Sequence, residues 1–200
     1  MNFARSIFLV MAFSVSSGSV ATAQDFDKGY AAGQAGDFAT ALEEFRPLAE
    51  QGHATAQTNL GMMYDIGQGV PQDYAEAVKW YRLAAEQGDA RAQYNLGLMY
   101  INGQGVLQDY SESVKWYRLA AEQGHAMAQS NLGFMYEKGQ GVLQDNVKAH
   151  MWYNISAANG NALGAENRGK RATAMTPADI SLAQAMAREC MSSGYTDCGW

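Results

Sequence analysis

Side chains able to do chemistry are thinly spread through this sequence. Three histidines (His53, His125, His150) and two cysteines (Cys190, Cys198) are its soft metal ligands. His53 and His125 hold the same place in two similar segments, with Asp89 at that place in the segment between. Packed helices lie ~8–10 Å apart, so those rings would stand at least about 16–20 Å from each other and could not share a metal ion. His150 reads as surface or interhelical packing. The zincin, nucleophile-elbow and Walker A patterns do not occur. A Gly-Gln-Gly-Val element recurs at Gly67, Gly103 and Gly139, but it has no third glycine and no strand before it, so it reads as a turn and not a phosphate loop. Trp80, Trp116 and Trp152, each followed by Tyr, could form a carbohydrate stripe. Their position beside Ala84, Ala120 and Ser156 points instead to a packed core. No catalytic residue, metal or cofactor is expected.

The elements that would position a site are helices. The 200-residue chain is 48% apolar and 17% charged, with only three prolines, which excludes a disordered chain. Ala, Gly, Gln, Met and Tyr are prominent, a palette suited to closely packed helices. The formal charge of −6, with no basic cluster, argues against nucleic acid or an anionic membrane surface as partner. Residues 1–23 differ from the rest: Arg5, an apolar run from Ile7 to Val15, then Ala21-Thr22-Ala23. That is the layout of a secretory signal peptide cleaved after Ala23, and the run is short of the ~20 residues a membrane anchor needs. Export suits one Cys190–Cys198 disulfide, two free thiols being the alternative.

Repetition dominates the rest of the chain. Asn59, Asn95 and Asn131 are 36 residues apart, as are Leu60, Leu96 and Leu132; Gly61, Gly97 and Gly133; Tyr64, Tyr100 and Tyr136; and Trp80, Trp116 and Trp152. A fixed period of this size means stacked supersecondary units. In residues 52–87, Ala56, Leu60, Met63 and Tyr64 recur at helical spacing, and so do Ala77, Trp80, Tyr81 and Ala84. Asp73 with Glu76, and Asp109 with Glu112, form capping-box patterns, while Asp145 with Lys148 loses the reciprocal half. Gly61 faces the partner helix in this reading, and a larger residue there would clash.

The run A-x-A-Q-x-N-L-G-x-M-Y-x-x-G-Q-G-V-x-Q-D, followed by V-K-W-Y-R-L-A-A-E-Q-G, resembles the Sel1-like repeat, a longer-looped relative of the tetratricopeptide repeat. Residues 52–87 and 88–123 match throughout, and 124–159 match apart from Lys148 to Met151. The resemblance implies an all-α, right-handed solenoid of antiparallel helix pairs that acts as a non-catalytic scaffold for a protein or peptide partner. First helices would line its concave groove, with Asn59, Asn95, Asn131 and Asn167 pointing inward. Those amides either satisfy the neighbouring repeat's backbone or present a ladder to an extended peptide. Arg91 and Tyr94 would act as anchors beside the apolar set Met62, Leu98 and Phe134. Exported relatives suggest a role in envelope regulation or assembly, in the periplasm or outside the cell. Cysteine-rich relatives described as penicillin-binding or β-lactamase-like suggest a hydrolase as the rival, but they carry a Cys pair in every repeat. The groove aromatics also permit a peptidoglycan- or glycan-binding adaptor.

The ends depart from the period. Residues 24–51 have a shorter turn at Gly36-Asp37 and read as a tetratricopeptide-like capping hairpin. Residues 160–200 read as a degenerate capping repeat with a disulfide tail. There Thr176-Pro177-Ala178-Asp179 starts a last helix.

Overall fold

The computed structural model describes residues 25–199, and the expected signal peptide and its cleavage site lie outside them. Ten helices are found among the described residues: α1 (Phe26–Gln34), α2 (Phe38–Glu50), α3 (Ala54–Ile66), α4 (Tyr74–Glu86), α5 (Ala90–Asn102), α6 (Tyr110–Glu122), α7 (Ala126–Lys138), α8 (Asn146–Ala158), α9 (Ala162–Ala172) and α10 (Pro177–Ser192). From α1 to α9 each helix packs on the next, giving a right-handed α-solenoid.

Local chemistry fixes each boundary. Asp73, Asp109 and Asp145 sit in extended backbone and accept the first free N–H groups of α4, α6 and α8. Gly67, Gly103 and Gly139 end α3, α5 and α7 in the left-handed conformation, where a side chain would be strained. In the loops after these glycines, Gln72, Gln108 and Gln144 each donate to a carbonyl seven residues back, at 2.7, 2.7 and 2.8 Å. The second glycine of the turn has a separate task. A Cβ on Gly105 would lie 2.2 Å from the Tyr74 carbonyl oxygen, and one on Gly141 2.3 Å from that of Tyr110. Both of these long loops therefore lie directly on the start of the previous repeat's second helix.

Within a hairpin, Gly61, Gly97 and Gly133 let the fully buried rings of Tyr81, Tyr117 and Tyr153 lie against the first helix's backbone. Leu60, Leu96 and Leu132 are completely buried, each contributing about 1.5–3 kcal/mol. The tryptophans close the seams between repeats. Trp80 packs with Phe45, Leu60 and Met63, and Trp116 with Tyr81, Leu96 and Met99. They are core residues, so the carbohydrate-stripe alternative does not apply to them.

The C-terminal end departs from the regular stacking. Helix α9 packs on α8 and α7, whereas α10 packs mainly on α8, burying Ala183, Ala187 and Cys190 in the last core cluster. Cys190 and Cys198 are joined in a disulfide. The closed loop places Tyr195 so that its hydroxyl bonds with the Asn159 amide.

Candidate functional site

The first helices α3, α5 and α7 begin at matching caps. The Nδ1 of His53 accepts from the Ala56 N–H and that of His125 from the Ala128 N–H, both at 3.2 Å, while Asp89 accepts from the Ala92 N–H at 2.9 Å. The histidines thus replace an aspartate as cap acceptors, which requires a neutral imidazole. Burial, reinforced by Arg91, pushes the His125 imidazole below its ordinary value. His150 lies buried in α8, and burial followed by Arg168 lowers its proton affinity. Among the described residues no cluster of His, Cys, Asp or Glu could hold a metal ion.

The four asparagines occupy different surroundings. Asn59 is 3% exposed; its Oδ1 faces the Arg91 guanidinium at 3.4 Å, and its Nδ2 has no hydrogen-bond partner. The Arg91 contact fixes which end of the amide is which, because a guanidinium offers only donors. Asn95 lies against the Tyr81 hydroxyl, which donates to Asp65 Oδ2 at 3.2 Å. Asn131 lies beside the Tyr94 and Tyr117 hydroxyls. Asn167 is half-buried on α9.

Backbone satisfaction between repeats falls to a different amide. Gln57, Gln93 and Gln129, two residues before Asn59, Asn95 and Asn131, are buried and donate to the carbonyls of Ala49, Ala85 and Ala121 at 3.0, 3.1 and 3.1 Å. Each also accepts from Gln87, Gln123 or Asn159, at 2.7, 2.8 and 2.9 Å. Every clasp joins the ends of two successive second helices through the first helix between them. The sequence signal was present, since Gln recurs at the same 36-residue period, but a glutamine reads by type as a surface residue.

The expected anchors divide by location. Arg91 is exposed at the mouth of a cavity of about 250 Å³, which is also lined by Asn59, Met62 and residues of α1 and α2 such as Tyr30 and Phe45. Tyr94 stacks on the His125 ring at 4.8 Å and is half-buried, as is Leu98 on the same face of α5. Phe134 is exposed on α7 with the Lys138 ammonium 5.6 Å from its ring centre. The cavity brings together three of the expected residues (Asn59, Met62 and Arg91) and separates them from Phe134 and Asn167. Sequence reading missed the cavity because half its wall belongs to the irregular first hairpin.

Asp65 and Tyr81 form the other polar pair near this face. Burial pushes the Asp65 carboxyl above its ordinary value, against the hydrogen bond from Tyr81. Glu137 and Tyr153 form the same pair two repeats further on, at 3.0 Å. In the middle repeat the acid's place is taken by Ile101. There the Tyr117 hydroxyl meets no partner at hydrogen-bonding geometry, and burial pushes its pKa up to about 12. A tie present in two repeats and replaced by an apolar residue in the third is a hairpin brace.

Comparison with known proteins gives three consecutive matches to the Sel1 repeat, at residues 54–89, 90–125 and 126–161. A crystal structure of c5321, a protective antigen present in uropathogenic Escherichia coli strains and displaying an SLR fold, is 41% identical with a TM-score of 0.73. That match covers 84% of this chain and 37% of the other, so the chain spans little more than a third of that relative's length. A Sel1 repeat protein from Oxalobacter formigenes is 30% identical with a TM-score of 0.71, over 85% of this chain and 78% of the other. A comparison with curated proteins yields no match. Repeats of this kind are typically protein-interaction scaffolds. The matched repeats, the glycine–tyrosine hairpins and the stacked architecture together establish that the chain belongs to the Sel1 repeat family.

Proposed function

We propose that the protein is a non-catalytic scaffold that holds a protein or peptide partner along the face formed by α3, α5 and α7, in the cell envelope or outside the cell. One observation carries this reading. Adjacent first helices present Met62, Arg91, Tyr94, Leu98 and Phe134 on one side, where a cavity opens beside a guanidinium in no ion pair among the described residues and an unsatisfied amide. Arginine and aromatic side chains around an apolar centre are what dominates binding energy at protein interfaces. The polar pairs of the face are braces and caps, with no nucleophile set against a base.

The disulfide supports export, because such bonds persist in oxidising compartments. No helix of the described residues is long and apolar enough to cross a membrane. Mass spectrometry of the exported form should find an N-terminus at Gln24; a chain that keeps Met1 contradicts the export reading. For the binding face, the test is affinity capture from an envelope fraction with wild type and with the Arg91→Ala, Phe134→Ala double variant. The captured partner should be lost while circular dichroism and melting stay unchanged. Equal capture by both proteins would remove the face from consideration.

A further inference from the structure

We infer that the edge formed by the α5–α6 and α7–α8 loops docks a second copy of this chain, with Leu107 of each copy seated beside Leu143 of the other. The inference stands apart from the scaffold reading, since Met62, Leu98 and Phe134 lie on α3, α5 and α7 and not on these loops. Leu107 and Leu143 are 91% and 90% exposed, well above Leu163, the next large apolar side chain, at 64%. Their loops are held firmly. Val106 and Val142 turn into the core clusters, and Gly105 and Gly141 sit against the backbone of Tyr74 and Tyr110. Gln108 and Gln144 then tie each loop to the end of the helix before it. Loops fixed in this way give neither leucine a means of folding under. Two leucines held outward at one place in adjacent repeats form an apolar ridge, and the first repeat ends it with Pro71.

The surroundings of the ridge fit a second copy. Beside Leu143 is a shallow pocket of about 260 Å³ lined by Tyr136, Val142, Asp145 and Lys148, room for one branched apolar side chain. Glu112 and Lys148 hold the same position, three residues after the caps of α6 and α8, with opposite charge. Glu112 pairs with Lys115 at 3.3 Å, an exposed contact that holds it weakly. Lys148 is in no ion pair among the described residues, and its ammonium lies 5.5 Å from the Tyr136 ring centre. Consider a two-fold axis that lays the α5–α6 loop of one copy on the α7–α8 loop of the other. Leu107 then meets the pocket beside Leu143, Glu112 meets Lys148, and the symmetry makes each contact twice. Laying like loop on like loop would instead set Glu112 against Glu112 and Lys148 against Lys148, which repel. The charges therefore select one register, and a two-fold contact closes at the dimer.

The experiment is sedimentation equilibrium of the mature chain at low ionic strength. It should show a reversible monomer–dimer equilibrium with a Kd below about 1 mM. Leu107→Ser and Leu143→Ser should each weaken it at least about tenfold and melt like wild type, because both side chains are exposed. The decisive pair is Glu112→Lys and Lys148→Glu. Each places at its position a residue type that another repeat already carries there, so both chains should fold. Glu112→Lys makes both sides of each polar contact basic, and Lys148→Glu makes both acidic. Either variant alone should dimerise at least about tenfold more weakly than wild type. Mixed in equal amounts, the two variants restore opposite charges at both contacts and should form heterodimers at wild-type strength. Only a contact between chains gives that rescue. A chain monomeric up to about 1 mM, a dimer indifferent to both leucines, or a mixture no stronger than its components would each overturn the inference.

Discussion

Replacing Gln93 by Met tests whether the repeats are held together by their glutamine clasps. Met keeps the length and volume of the side chain and removes its polar end. Two hydrogen bonds disappear, the 3.1 Å bond to the Ala85 carbonyl and the 2.8 Å bond from Gln123. Neither partner is left bare, because Ala85 still accepts from the Gly88 N–H and Gln123 still reaches the Leu119 carbonyl. The expected loss is therefore two net hydrogen bonds, about 1–3 kcal/mol, without the further cost of a buried orphan. For a chain of this length that corresponds to a fall in Tm of roughly 2–4 °C per kcal/mol. Gln93→Glu should cost more at neutral pH, since its carboxylate would face a carbonyl oxygen in a buried site, and it should recover as acid protonates it. Gln123→Ala, in an exposed position, should cost less than about 1 kcal/mol, and the double variant should show coupling of about 0.5 kcal/mol or more. Urea unfolding followed by circular dichroism reads all of these. A Gln93→Met variant as stable as wild type would refute the idea that these amides hold adjacent repeats.

Gly97→Ala should destabilise the chain by about 1–3 kcal/mol, because the new Cβ would lie 2.6 Å from the buried Tyr117 ring, whereas Gly169→Ala, with nothing within 4 Å in a helix, should stabilise it by roughly 0.5–1 kcal/mol; thermal melts of both decide. His125 has a lowered proton affinity in the fold, so its share of stability is present above the unfolded value of about 6.5 and is lost as pH falls through the folded value. His150, also lowered, acts in the same direction, so His125→Asp, which keeps a cap like Asp89, should flatten the dependence of Tm between about pH 8 and pH 5 in part. Reducing the Cys190–Cys198 bond should cost about 2–3 kcal/mol, and hydrogen exchange should rise over residues 187–199 while α3 to α7 keep their protection.

The hairpins and their stacking were legible because the 36-residue period places each apolar residue, cap and turn three times over. The aspartate caps could be read directly, since the residue type states the task. Histidine does not: His53 and His125 invite a search for metal or catalysis, and only the neighbouring Asp89 at the same place hints that all three are caps. Buried glutamine was opaque for a related reason, because its value depends on carbonyls and amides supplied by two other helices. The asparagine row proved uneven, since a common position meets Arg91 in one repeat and tyrosine hydroxyls in the next. The cavity needs α1 and α2, which lie outside the period, so no repeat pattern could announce it.

Site-specific photocrosslinking in cells tests the claim about the binding face most directly. A photoreactive residue placed at Leu98 or Phe134 lies on the first-helix face, while one at Leu83 or Leu119 lies exposed on second helices α4 and α6. A scaffold that binds through its first helices should give a discrete crosslinked partner from Leu98 and Phe134 and none from Leu83 or Leu119. Crosslinks confined to Leu83 and Leu119 would contradict it.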